Sequence, residues 1–98
     1  MPSIYYEIDE ITEQLTGLAE LANNEAGNHN IPAGQRTLNL YIENLKDELM
    51  NKDDRELDDL IGVLDWIGSS LATGGISSST LWTIGDFIVK LEDVIDQL

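Results

Sequence analysis

Carboxylates are the only reactive side chains this chain carries in quantity. Nineteen Asp and Glu stand against five Lys and Arg, a formal net charge of −14. The densest run is DDRELDD, Asp53 to Asp59. Acid–base catalysis by paired carboxyls needs two groups whose surroundings push their pKa values apart. Here the acids fall on the polar faces of predicted helices, where they should titrate as ordinary solvated groups. Asp65 and Asp86, each beside an aromatic (Trp66 and Phe87), come closest to an exception. A calcium loop needs an internal Gly and a spaced terminal Glu, and DDRELDD has neither.

Other chemistries are thinner still. There is no Cys, which removes disulfides, thiolate metal sites and cysteine nucleophiles. His29 is the one histidine, in an Asn-rich stretch with no diagnostic serine and no spaced ligand set. Four glycines fall inside predicted helices (Gly17, Gly62, Gly68 and Gly85), and none belongs to a phosphate-cradling loop or dinucleotide fingerprint. The expectation is a chain with no catalytic residues, no metal site and no cofactor. The glycines instead imply close approach between helices, or room for Trp66 and Trp82.

The elements that carry these residues follow from hydrophobic spacing. Ile4, Ile8, Ile11, Leu15, Leu18 and Ala22 recur at steps of three and four, one stripe of a helix capped by Ser3. After the Asn/Gly/Pro stretch from Asn23 to Gly34, a second stripe runs through Leu38, Tyr41, Ile42, Leu45 and Leu49, with Pro32 near its start and Leu40 off the stripe. The third stripe is Leu57, Leu60, Ile61, Leu64, Ile67 and Leu71. Asp53 and Glu56 are placed as its capping box, and Gly74 stands where a left-handed C-cap is wanted. The fourth is Leu81, Ile84, Ile88, Leu91, Ile95 and Leu98, capped by Ser77 with Ile76 and Leu81 as a hydrophobic staple. These patterns predict an all-α, four-helix bundle-like single domain over 1–98. The expected helices span roughly 4–23, 33–51, 54–73 and 78–98, the last persisting to the final residue. Ile11, Leu15, Leu60, Leu64, Ile84, Ile88 and Leu91 are the predicted core.

Hydrophobic residues make up 42% of the chain, which argues for a folded core despite the charge. No apolar run approaches the length of a membrane span, and the N-terminus lacks the basic start and apolar centre of a secretory signal. A soluble, cytoplasmic protein is expected. Its charge disfavours direct binding to nucleic acid or an anionic membrane and favours a protein partner with a basic surface.

The acid is also one-sided. Glu7, Asp9, Glu10, Glu13 and Glu20 precede any Lys or Arg, and Asp53, Asp54, Glu56, Asp58, Asp59 and Asp65 share the third helix region with Arg55 alone. Carboxylates along rigid helices can stand in for successive phosphates. Small phage-encoded inhibitors of restriction or CRISPR complexes and acidic immunity proteins that plug nucleases use that logic, and the likeness is one of size and charge. The candidate contact residues are Glu7, Asp9, Glu10, Glu13, Asp54, Asp58, Asp59 and Asp65. The rival reading is a helical interaction or self-associating module, a homodimer included. It would bind through an apolar patch anchored by Tyr5, Tyr6, Leu40, Trp66 and Trp82, with acid serving only solubility.

Overall fold

A computed structural model describes residues 3–98, and it is built of four helices: α1 (Ile4–Glu25), α2 (Gln35–Asn51), α3 (Asp58–Thr73) and α4 (Ser78–Ile95). Ser3 caps α1 by accepting from the Tyr6 N–H at 3.2 Å, and Ser77 caps α4 by accepting from the Thr80 N–H at 3.3 Å. Both caps stand where the sequence places them, and the all-α, four-helix architecture follows the four stripes.

The connections differ from expectation. Asp53 is not the cap of α3. It takes a left-handed conformation (φ 50°), which a short polar side chain tolerates, and closes the turn after α2. Asp54 caps instead, accepting from the Glu56 N–H at 3.0 Å and opening a 3-10 turn, Arg55–Leu57, from which α3 continues. The second helix starts at Gln35 rather than 33, because Gly34 in the left-handed region (φ 90°) turns the chain just before it. Pro32 therefore lies outside the helix. The fourth helix stops at Ile95, and the last residues form a turn that leaves Leu98 partly exposed.

Gly74 is extended (φ 177°, ψ −174°), so it is not a left-handed cap. The reason for glycine there is proximity. A Cβ on Gly74 would lie 2.6 Å from the Gly27 backbone, and one on Gly75 would lie 1.9 Å from the His29 carbonyl, where the two strands of loop form an isolated bridge. Of the glycines inside the helices only Gly68 faces a neighbour, since a Cβ there would lie 3.4 Å from Asn39 and Glu43 side-chain oxygens across the α2–α3 contact. Gly17, Gly62 and Gly85 face nothing within 4 Å, contrary to the packing role expected of them.

End contacts fix the topology. The Tyr5 hydroxyl reaches Asp54 at one end, and Gly27 meets Gly74 at the other, so α1 and α3 run parallel. The helices α2 and α4 run the opposite way, giving an up-down-up-down chain. The α3 helix packs on α1 and α2, and α1 packs on α4, while α2 and α4 touch only slightly. The core is the buried stripe set, with Leu15, Leu49, Leu57, Leu64, Ile67, Ile84 and Leu91 fully enclosed. Ile11 is the exception among the predicted core residues. It is partly buried, because it borders a cleft between α1 and α4.

Candidate functional site

The topology sorts the acids by height along the bundle. The N-terminal turns of α1 and α3 and the C-terminal turns of α2 and α4 meet at one end. That end gathers Glu7, Asp9, Glu10 and Glu13 from α1, Asp54, Asp58 and Asp59 from the start of α3, and Asp47, Glu48, Glu92, Asp93 and Asp96 from the two descending helices. Glu43, Asp65 and Asp86 lie near the waist, and only Glu20 and Glu25 lie toward the far end.

Little of this charge is neutralised within the molecule. Among the described residues the ion pairs are those of Lys46, with Asp65 at 2.9 Å and Glu43 at 3.7 Å. The hydrogen bond that the Lys46 ammonium donates to Asp65 holds it above its ordinary pKa. Lys90 lies 5.1 Å from the centroid of the Phe87 ring. The α1 and α3 N-termini favour nearby carboxylates, but α2 and α4 end in this acid with no basic residue in their last turns. The helix dipole penalises that arrangement.

Clefts open on the surface between the helices, and two of them bear on the site. One, of about 610 Å³, lies between α1 and α4 and brings Glu7, Glu10 and Glu13 opposite Asp93, over Ile11, Phe87 and Lys90. The other, of about 560 Å³, follows the open seam between α2 and α4 and is lined mainly by Leu38, Tyr41, Leu81, Trp82, Ile88 and Val89. At the latter's acidic end a hydrogen bond to Glu92, with burial and the charges of Asp96 and Glu48, pushes the Tyr41 hydroxyl up to about 12.

The far end is a polar junction that orders the loops. Gln35 is buried, its amide nitrogen donating to the Leu71 carbonyl at 2.8 Å and the Gly74 carbonyl at 2.7 Å, while its oxygen accepts from the Ile76 N–H at 3.1 Å. Glu25 accepts from the Ser77 N–H and the Thr80 hydroxyl, both at 3.0 Å, supplying a carboxylate to the α4 N-terminus. Burial works to raise the Glu25 carboxyl, but the Ser77 and Thr80 donors and nearby His29 outweigh it and hold it below the usual range.

The sequence-derived candidates divide. Glu7, Glu10 and Glu13 share one cleft, and Asp9 is exposed on the same helix outside it. Asp58 and Asp59 are exposed in the first turn of α3. Asp54 and Asp65 already have partners, the Tyr5 hydroxyl at 2.6 Å and Lys46. The supposed apolar patch is not one surface. Tyr5 is tied down at the acidic end, where Tyr6 also lies, and Trp82 stands at the far end of α4. Leu40 and Trp66 line neither cleft. Among the described residues, no group of three or more His, Asp and Glu is placed to hold a metal ion.

No family model, curated protein or solved structure matches the chain.

Sequence reasoning missed Glu25, Gln35 and the lining residue Val89. It also assigned Leu38 and Tyr41 to an ordinary core stripe. Spacing marks the apolar side of α2 but carries no sign that α4 diverges and leaves part of it open.

Proposed function

We propose that the chain is a non-catalytic binding protein whose acidic end engages a basic surface on a protein that itself binds nucleic acid. The observation that carries this reading is the gathering of carboxylates at one end of the bundle, where they outnumber Lys52 and Arg55 and mostly lack an ion-pair partner, extending onto the C-terminal turn of α4 that disfavours them. Solubility alone gives no reason for such placement, since acids interspersed with lysines serve it equally. Along α1, Glu7, Glu10 and Glu13 rise about 4.5 Å per step, on the scale of phosphates along one nucleic-acid strand. An inhibitor or immunity-type role, occupying a surface that would otherwise hold nucleic acid, fits this geometry. The absence of Cys fits a cytoplasmic setting. Among the described residues, no helix is long and apolar enough to cross a membrane.

The test compares the parent chain with a variant carrying Glu7→Gln, Glu10→Gln, Glu13→Gln, Asp58→Asn and Asp59→Asn. These positions avoid the Asp54–Tyr5 and Asp65–Lys46 contacts. The variant should keep its helical circular dichroism. A nucleic-acid-binding protein captured by the parent at low salt should be released by added duplex DNA and bind the variant at least ten-fold more weakly. Equal retention by parent and variant, unmoved by salt, would reduce the acid to solvation. A second reading, apolar recognition of a protein partner, is favoured by the open α2–α4 seam and its exposed Trp82.

A further inference from the structure

The α2–α4 cleft is apolar along its length and acidic at one end. Trp82 is 75% and Val89 59% exposed, so two large apolar side chains stand in water with no neighbour to cover them. Asp86 is in the wall, Tyr41 sits among Glu92, Asp96 and Glu48, and none of the residues lining the cleft is basic. From Leu81 to Val89 the α4 side runs about 12 Å, close to the roughly 10 Å covered by apolar residues at positions i, i+3 and i+7 of a docked helix. The trough is open along one side and would not enclose a small molecule, whose sites bury most of the ligand surface. A second copy of this chain would bring another −14 against the same acidic rim.

Gly85 bears on the same question. It lies in the lining and has nothing within 4 Å of where its Cβ would stand, so no internal packing requires a glycine there. It leaves the floor of the cleft free for an approaching chain.

We propose that this cleft seats a cationic amphipathic helix of a partner protein, its apolar face on Leu81, Trp82, Val89 and Tyr41 and its Lys or Arg residues toward Asp86, Glu92 and Asp96. The inference rests on the reading of the chain as a binder of basic proteins and assigns it a second contact with a defined shape.

The test uses three synthetic, fluorescently labelled 14-residue peptides at physiological salt. One is a Leu/Lys peptide with leucines at helical spacing, one is the same composition scrambled, and one is the helical pattern with Glu replacing Lys. The first should bind the full chain at least ten-fold more tightly than either control and should change Trp fluorescence through Trp82. Val89→Lys should weaken it at least ten-fold. Glu20→Gln, which shifts the net charge by the same amount at an exposed site outside the cleft, should change it less than two-fold. Gly85→Ala should weaken binding several-fold while leaving thermal stability equal or higher, which a purely structural glycine would not do. Equal binding of the Leu/Lys peptide and its scramble would overturn the cleft while leaving the acidic end as the binding surface. Failure of both lysine peptides even at low salt would count against both readings. Equal binding of the Glu peptide, or a stable dimer in sedimentation that loses its contact on Val89→Lys, would replace the cationic helix with another occupant.

Discussion

Gln35 holds the ends of two other segments through one amide. Its side chain satisfies the Leu71 and Gly74 carbonyls and the Ile76 N–H, groups that the departing chain would otherwise leave without partners. Each buried polar group left unsatisfied costs about 1–3 kcal/mol. Gln35→Ala should therefore destabilise the fold by about 3 kcal/mol or more, read as a fall in the chemical denaturation midpoint with little change in slope. Tyr41 makes a different residue-scale point. Its hydroxyl is held from its ordinary 10.0 up to about 12, so the fold favours the neutral phenol. That contribution is complete below about pH 10 and is lost as pH rises through about 12. Absorbance at 295 nm should show one tyrosine ionising last, near pH 12, and Tyr41→Phe should remove that step. Neither residue's role was legible in the sequence. Gln35's partners lie 36 to 41 positions away, and nothing in its neighbours announces them.

At the scale of elements, the helices were legible and their junctions were not. Periodicity is a local signal, and Ser3, Ser77 and the four stripes each declare themselves within a few residues. The turn between α2 and α3 did not, because Asp53 and Asp54 are equally good caps on paper and backbone geometry chose Asp54. Gly74 and Gly75 were legible as glycines that end a helix, but for the wrong reason. Their lack of side chains lets the α3–α4 connection lie against the loop from Gly27 to Asn30. Gly75→Ala should show this directly. Its Cβ would meet backbone atoms, which cannot rotate away, so a cost of about 3 kcal/mol or more is expected. For a domain of this size that lowers Tm by about 12 °C or more. Gly85→Ala in a mid-helix position with open space should do the reverse and stabilise by up to about 1 kcal/mol.

At the scale of the whole molecule, connectivity turns a diffuse acidic composition into a directed field. One-sidedness along the chain was visible in the sequence, but up-down-up-down winding is what lays the starts of α1 and α3 beside the ends of α2 and α4. Acids at the starts are favoured by the helix dipole, and those at the ends are not. Asp93 lies in the last turn of α4 and Asp47 one turn before the end of α2, both among the acids of this end and at exposed positions where replacement disturbs no buried group. The double variant Asp47→Lys, Asp93→Lys should be more stable than the parent by about 0.5–2 kcal/mol at low ionic strength. That advantage should shrink as salt screens the repulsion, since the Debye length falls to about 8 Å at physiological strength. If the acidic end is a binding surface, the same variant should lose affinity for a basic protein partner, so stability and binding would move in opposite directions. A variant that gained stability and bound as tightly as the parent would remove the α2 and α4 ends from the contact and confine it to Glu7, Glu10, Glu13, Asp58 and Asp59.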